Sequence, residues 1–194
     1  MAMRGIFGWT VALLLLAAPL RAAEPNLQTL PPMVGVSANA ARERATLFAE
    51  LAAAKNDVEA RAIEDRLWTF WRSFADEESN RLLEASKQAQ LEFDYGHARI
   101  AMQELVKHQP DFAEGWNQYG YVLFLAGSYQ ASLEAIDKVL TLEPMHYAAL
   151  AGKGIILTQQ GKVAEAQAPL KRALEINPWL KERNLVGKDP VPVP

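Results

Sequence analysis

A spacing of 34 residues recurs through the second half of this 194-residue chain. Pro110, Pro144 and Pro178 lie 34 residues apart, and Gly127 and Gly161 keep the same interval. Chains that repeat small, large and proline positions in register fold as stacked copies of one supersecondary unit. We therefore predict three units, each with a helix, a short turn, a second helix and a proline-marked stop. The same interval relates Leu82, Trp116 and Leu150; Ser86, Gly120 and Gly154; Ala98, Ser132 and Ala166; and Met102, Ile136 and Leu170.

The residue types in this register suit pairs of antiparallel helices. Small residues such as Gly120 and Ser132 let two helices approach closely where they cross, and large residues such as Ile136 fill the space beside the crossing. A proline ends the second helix because it cannot continue the backbone hydrogen bonding. One pair cannot bury its own apolar face, so the pairs must stack. The sequence has no alternating strand pattern of useful length, which predicts an all-α solenoid.

The second unit carries the clearest family resemblance. Ala113–Pro144 (AEGWNQYGYVLFLAGSYQASLEAIDKVLTLEP) resembles a tetratricopeptide repeat (TPR) in the placing of its tryptophan, glycines, Gly-x-Tyr turn and terminal proline. Tyr147–Pro178 is a second match, and Ser79–Pro110 is a weaker third. The resemblance implies a right-handed superhelix in which the first helices of successive units line a concave groove. The three TPR units are placed at 79–112, 113–146 and 147–180.

A further helical pair is predicted at 37–78, with helices over Ala38–Ala54 and Val58–Phe74. Asn56 followed by Glu59 is typical of a capping box at the start of the second helix. The pair lacks the glycine and proline landmarks, so we interpret it as a degenerate repeat or N-terminal cap. At the other end, residues 181–194 are expected to form a short capping helix and a proline-rich tail.

The first residues are typical of a secretory signal peptide at 1–22, because a short basic start precedes a hydrophobic run and small residues. Cleavage after Ala22 or Ala23 would leave a proline-rich extended linker at 23–36. Such a protein is expected in the periplasm of a Gram-negative bacterium. The alternative is an uncleaved anchor in the inner membrane that faces the periplasm, although the hydrophobic run is shorter than the roughly 20 residues that span a bilayer.

Composition and side-chain chemistry argue against catalysis and against nucleic acid. The formal net charge is −3 and the basic residues are scattered, which is unlike a nucleic-acid-binding domain. The chain has no cysteine, and its three histidines fall at different places in the repeat, so a zinc site is not predicted. We expect His97, His108 and His146 to lie on the surface. The sequence therefore predicts no enzyme, cofactor, metal or small-molecule substrate.

The remaining candidate is the concave groove that the TPR resemblance implies. Leu83, Ala148 and Gly152 stand where some family members carry charged residues that grip a carboxylate, so no such clamp is expected. An apolar or helical segment of another protein suits these residues better. The chain is thus predicted to be a non-catalytic scaffold. The groove residues are Leu83, Lys87, Asn117, Gln118, Tyr121, Phe124, Ala151, Gly152 and Ile155.

Three alternatives stay open at this point. Phe124 could pack against the neighbouring unit instead of facing the groove. Leu27–Val36 of the linker could itself occupy the groove. The chain could also be a structural module that self-associates through Trp68, Trp71 or the terminal helix.

Overall fold

The computed structural model describes residues 30–187, and the predicted signal peptide and proline-rich tail lie outside them. Within this range the regular structure is entirely helical, which confirms the predicted all-α solenoid of antiparallel helix pairs. Residues 30–187 form eight α-helices followed by one short 3₁₀ helix. Their bounds are α1 Ala38–Ala53, α2 Asp57–Arg72, α3 Glu77–Leu91, α4 Tyr95–His108, α5 Ala113–Leu125, α6 Tyr129–Leu142, α7 Tyr147–Gln159, α8 Val163–Ile176 and the 3₁₀ helix Lys181–Leu185.

The three repeats are the pairs α3–α4, α5–α6 and α7–α8, which stack in chain order. Helices cross closely at the small residues of the 34-residue register. A Cβ placed on Gly154 would lie 2.4 Å from Cγ of Leu170, and one on Gly120 would lie 3.3 Å from Cγ1 of Ile136. The Ser132 hydroxyl, buried at the same crossing, donates to the carbonyl of Gly120 at 2.6 Å. The predicted role of these small residues in helix packing is confirmed.

The first helix of each repeat ends in the same way. Phe93, Gly127 and Gly161 follow the last helical turns with φ of +59°, +71° and +74°. In each case the amide of the following residue donates to the carbonyl five residues before it in the chain, as in Ser128 to Leu123 at 2.8 Å. This is the Schellman arrangement, which requires the left-handed backbone that glycine adopts without strain. The first repeat uses phenylalanine at this position.

The helices of the N-terminal pair, α1 and α2, both begin at a side-chain cap, and the cap of α2 is the predicted Asn56. The Ser37 side chain accepts from the amide of Ala40 at 3.2 Å, and Asn56 accepts from the amide of Glu59 at 2.9 Å. Glu59 reaches back to the amide of Lys55 at 2.7 Å, one residue before the position that a standard capping box uses. These polar contacts fix where both helices start.

The placement of the N-terminal pair differs from that of a repeat preceding the first unit. α2 does not pack along α3; it packs on α5 and on the turns around α7 and α8. The connection from α2 to α3 is held by Gln109, whose amide donates to the carbonyl of Phe74 at 2.7 Å. Phe70 and Trp71 of α2 are buried in a core that includes Tyr147 and Ala149 of α7, and α3 contributes no residue to that core among the described residues.

No helix within residues 30–187 combines the length and the apolar character that a membrane crossing requires.

Candidate binding cleft

A cleft of about 1010 Å³ lies between α2 and the first helices of the second and third repeats. One wall is made by α5 and α7, the opposite wall by α2, and residues 179–183 close one end. The cleft is therefore not a groove of the repeats alone. Helix α2 of the N-terminal pair supplies part of its lining, which repeat periodicity did not predict.

Most of the predicted groove residues surround this one cleft. Leu83 and Lys87 do not, because they stand on α3, which lies outside the space that α2, α5 and α7 enclose. Leu83 packs against the core of the first repeat, and Lys87 pairs with Glu84 at 3.4 Å. The predicted residues that line the cleft are Asn117, Gln118, Tyr121, Phe124, Ala151, Gly152 and Ile155.

The apolar surface of the cleft comes from α5 and α7. Tyr121 is 51% exposed, whereas Phe124 is half-buried and lies 5.8 Å from the ring of Tyr129. Gly152 is half-buried, and a Cβ there would lie 3.7 Å from Ile136, which is ordinary contact distance. Phe124 thus packs within its own repeat and also lines the cleft.

A buried carboxylate organises the polar groups beside this surface. Glu114, 1% exposed, accepts from the amide nitrogen of Asn117 at 3.0 Å and from that of Gln118 at 2.6 Å. A third contact joins it to Nε2 of His146 at 3.2 Å. Because both amide NH₂ groups are turned toward Glu114, the side-chain oxygens of Asn117 and Gln118 remain as acceptors.

His146 is fully buried, so the prediction of a surface histidine is wrong at this position. Its Nδ1 accepts from the amide of Ala149 at 3.2 Å, which caps α7, and Nε2 then carries the hydrogen that faces Glu114. Trp71 stacks on the imidazole with ring centroids 4.0 Å apart and an angle of 12°. The repeat register correctly predicts that the three histidines do not cluster. It does not predict that α2 covers His146.

The other two histidines are exposed, as predicted. His97 pairs with Asp94 at 2.5 Å, and His108 pairs with Asp76 at 2.7 Å. The hydrogen bond and charge of Asp94 raise the pKa of His97, whereas the backbone amide of Ser79 and the ring of His108 lower the pKa of Asp76. Both carboxylates are helix caps, so these pairs support helix starts and not a site of chemistry.

The N-terminal pair is fixed by a row of polar side chains that the repeat register brings into line. Gln109, Glu143 and Asn177, which we call the anchor row, lie 34 residues apart, and each precedes a repeat proline. Glu143 accepts two hydrogen bonds from Arg44, both at 2.5 Å, and Asn177 donates to Glu64. The sequence holds a signal for this row, because a polar residue stands before every repeat proline.

The alternative of self-association through Trp71 is contradicted. Trp71 is 1% exposed and lies between His146, Phe48 and Tyr147 within one chain. Trp68 is half-buried and lines the cleft.

The described part of the linker does not fill the cleft. Val34 donates its amide to the carbonyl of Leu142 at 2.9 Å, and Met33 is buried beside it. Residues 30–36 are absent from the cleft lining, whereas residues 27–29 lie outside the described range. It is α2, and not this part of the linker, that faces the predicted groove.

Tyr147 lies at the base of the cleft with an unusual hydroxyl. The residue is 2% exposed, and its hydroxyl has no hydrogen-bond partner among the described residues. Burial, followed by the charges of Glu64, Asp65 and Glu114, raises the pKa of Tyr147. Its burial is therefore the main reason that the phenol resists deprotonation.

Residues 30–187 contain no group of three or more histidine, cysteine, aspartate or glutamate side chains placed to hold a metal ion. The polar groups that line the cleft are amides, carboxylates, the Ser132 and Tyr147 hydroxyls and the cations Arg61, Lys181 and Arg183, and among these described residues we find no paired nucleophile and base.

Comparison with known proteins identifies the repeats. A family model described as tetratricopeptide repeat matches residues 94–142 and 126–178. A TPR repeat-containing protein of Rhizobium etli is 29% identical over 160 residues, which are 82% of this chain and 78% of that protein.

Solved structures share the fold at low identity. The TPR2B domain of yeast Sti1 in its pHsp70 complex has a TM-score of 0.52 and 19% identity, covering 57% of this chain and 91% of that one. The TPR2AB domain of yeast Sti1 in its pHSP90 complex has a TM-score of 0.52 and 19% identity, covering 66% and 52%.

Proposed function

The chain belongs to the tetratricopeptide repeat family, and on that premise we propose that it is a non-catalytic scaffold that binds an apolar or helical segment of a partner protein in the cleft. The occupant would lie on Tyr121, Phe124 and Ile155, with Gly152 and Ala151 giving it room to approach. The two yeast structures of this fold are complexes with pHsp70 and pHSP90, which supports a binding role.

The observation that carries this proposal is the exposure of Tyr121. Gly120 and Leu123 lie on the buried side of α5. Packing within the fold therefore does not require a large aromatic residue on the other side of the helix, where Tyr121 lies. A half-exposed tyrosine beside a large cleft is a costly surface for a monomer and a common anchor for a partner.

The test is a pull-down with the double variant Tyr121→Ala, Phe124→Ala. We expect it to lose the partner that the unaltered chain captures from its own cells, because both anchors of the apolar surface are removed. Far-ultraviolet circular dichroism should show unchanged helicity. A photoreactive residue at Tyr121 would identify the captured protein in the same cells.

The matched control is Leu91→Ala, Phe93→Ala. These side chains are 66% and 77% exposed, yet they lie on the first repeat away from the cleft. They should leave capture unchanged. Equal loss from both double variants, or loss from neither, would remove the cleft from consideration as the binding site.

We further propose that the protein works in the envelope of a Gram-negative bacterium after removal of residues 1–22. The order of basic, hydrophobic and small residues at the start supports this location. N-terminal sequencing of the mature protein tests it: a start at Ala23 or Glu24 is expected, and an intact Met1 would favour the membrane anchor.

A further inference from the structure

The side-chain amides of Asn117 and Gln118 line the cleft in a fixed orientation. Glu114, buried beside them, accepts one hydrogen bond from each NH₂ group. A carboxylate can only accept, so each side-chain amide must turn its nitrogen toward Glu114. Each one then keeps its second N–H and its carbonyl oxygen, and neither group bonds to another described residue. The cleft therefore offers two pairs of one donor and one acceptor.

Glu114 is itself held in place from the side of the N-terminal pair. Nε2 of His146 lies 3.2 Å from Oε2 of Glu114, and Trp71 of α2 stacks on the imidazole. Glu114 is 1% exposed and His146 is 0% exposed, so neither side chain can rotate without breaking buried contacts. The docking of α2 thus preorganises the two side-chain amides before an occupant arrives.

Gln109 shows how the protein uses a side-chain amide to bind backbone. Its NH₂ group donates to the carbonyl of Phe74 at 2.7 Å, and its side-chain oxygen accepts from the backbone amide of Asp76 at 3.4 Å. Both partners belong to the non-helical connection from α2 to α3. One side-chain amide therefore pairs with the C=O of one residue and with the N–H of the residue two positions later.

Gln167 repeats this arrangement on the segment that follows α8. It donates to the carbonyl of Leu185 at 3.3 Å and accepts from the backbone amide of Gly187 at 2.9 Å. Val186, which lies between them, has the extended backbone angles φ −83° and ψ 135°. The protein thus binds non-helical backbone of its own twice with the pair of groups that the cleft leaves free.

These groups discriminate between backbone conformations of an occupant. In an α-helix the backbone N–H and C=O groups bond to one another, except at the two ends. In an extended segment both groups stay available, and successive side chains point to opposite sides. Charge does not select the occupant, because the lining of the cleft carries both cations and carboxylates.

We propose that the occupant of the cleft is an extended, apolar segment of a partner protein, that its backbone pairs with the side-chain amides of Asn117 and Gln118, and that Glu114 is the residue that positions both amides. Alternate side chains of the segment lie on Tyr121 and Ile155. This inference rests on the proposed function, and it chooses an extended occupant over a helical one.

The probe for the test is a peptide selected on the protein itself. A phage-displayed library of random nine-residue peptides is selected on the chain without residues 1–22, and the tightest binder is synthesised with a fluorescent label. We expect apolar residues at every second position of the selected peptides. Apolar residues at i, i+3 and i+4 would indicate a helical occupant and overturn the inference. Fluorescence anisotropy measures the affinity of the labelled peptide.

Ester substitution in the peptide tests the backbone pairing directly. An ester in place of one peptide bond removes a single N–H and keeps every side chain. At the two paired positions the ester should weaken binding by about threefold to tenfold, the loss of one hydrogen bond. Each penalty should vanish in the variant that removes its acceptor, Asn117→Leu or Gln118→Met. A scan in which no ester changes the affinity would overturn the backbone pairing.

Gln130→Met is the matched control for Gln118→Met. Gln130 donates to Glu134, four residues away, at 3.1 Å, as Gln118 does to Glu114, but it lies on α6 outside the cleft. The peptide affinity and both ester penalties should equal those of the unaltered chain. Loss of a penalty in this control as well would show that the effect does not arise from pairing in the cleft.

Glu114→Gln separates a positioning role from a purely structural one. Oε2 of Glu114 serves both Asn117 and His146, so the new NH₂ group should replace Oε1 and face Gln118. Gln118 should then reverse its side-chain amide and turn its oxygen away from the cleft. We expect unchanged helicity by circular dichroism and loss of the ester penalty at the Gln118 position alone. Two unchanged penalties in this variant would overturn the positioning role.

The outcomes distinguish this inference from the proposed function. A selected peptide with a helical pattern that loses affinity for the Tyr121→Ala, Phe124→Ala variant would overturn the extended occupant and leave the cleft as the binding site. A selected peptide whose affinity survives that double variant would overturn both. A library that yields no binder would also count against both.

Discussion

The repeat array and the N-terminal pair are both made of antiparallel helices, but different interactions hold them in place. Within the array, helices meet where side chains are small, and the contact of Gly154 with Leu170 leaves no room for a methyl group. The N-terminal pair joins the array through a buried ion pair, Arg44 with Glu143, and through the stacking of Trp71 on His146.

This difference has a physical consequence for each region. Close packing of small residues depends on shape, so it tolerates apolar exchange and fails when volume is added. A buried ion pair depends on both partners, because either charge alone would remain desolvated. A single substitution at one partner of the ion pair should therefore loosen the N-terminal helix pair and leave the repeats intact.

The largest expected effect is at the ion pair. Arg44→Met should lower the free energy of unfolding by about 3–5 kcal/mol, because Glu143 is left buried without its cation. Urea denaturation followed by tryptophan fluorescence measures it, since Trp68 and Trp71 both lie on α2. Arg66→Met, which breaks the exposed pair with Glu50, is the control and should change stability little. Equal effects of both would show that the buried pair does not hold α1.

A smaller effect is expected at the helix crossings of the array. Gly154→Ala should lower the free energy of unfolding by about 1–3 kcal/mol, because the new methyl group would overlap Leu170. Gly152→Ala is the matched control on the same helix, where the methyl group would make ordinary contact with Ile136. It should be neutral or stabilising by up to about 1 kcal/mol, since alanine favours a helix more than glycine does. Thermal melts of the two variants give the comparison.

The array could be predicted from the sequence because its information is local and repeated. Gly120, Ser132 and Ile136 lie within one unit, and small, small and large residues recur 34 positions later in the next unit. Chain periodicity therefore predicted the helices of the array and their crossings, and the TPR resemblance predicted the side chains of α5 and α7 that line the cleft.

The docking of the N-terminal pair could not be predicted in that way. Arg44 and Glu143 are 99 residues apart, and nothing in either segment indicates that they meet. The burial of His146 depends on the same docking, so its misassignment has the same cause. The signal for this docking in the sequence was the anchor row. Gln109, Glu143 and Asn177 are polar at the position before each repeat proline, where a turn alone does not require a polar side chain.

The smallest expected effect sharpens the comparison within the array itself. Phe93 has φ of +59° at the position where the other repeats have Gly127 and Gly161, and its side chain is 77% exposed. A left-handed backbone destabilises the folded chain by about 1–2 kcal/mol when the residue has a Cβ. Glycine avoids this strain, but it loses more conformational entropy on folding, so the net gain from the substitution is smaller. Phe93→Gly should therefore raise the free energy of unfolding by about 0.5–1 kcal/mol.

The control for Phe93→Gly is Phe93→Ala, which removes the exposed ring and keeps the strained backbone. Alanine should leave stability near that of the unaltered chain, whereas Gly127→Ala should lower it by about 1 kcal/mol, since the same strain is introduced into the second repeat. Guanidinium unfolding of the three variants measures all of these differences. Stabilisation by alanine as large as that by glycine would show that the exposed ring, and not the backbone, is the source of the cost. In that case the first turn would differ from the other two in its side chain alone.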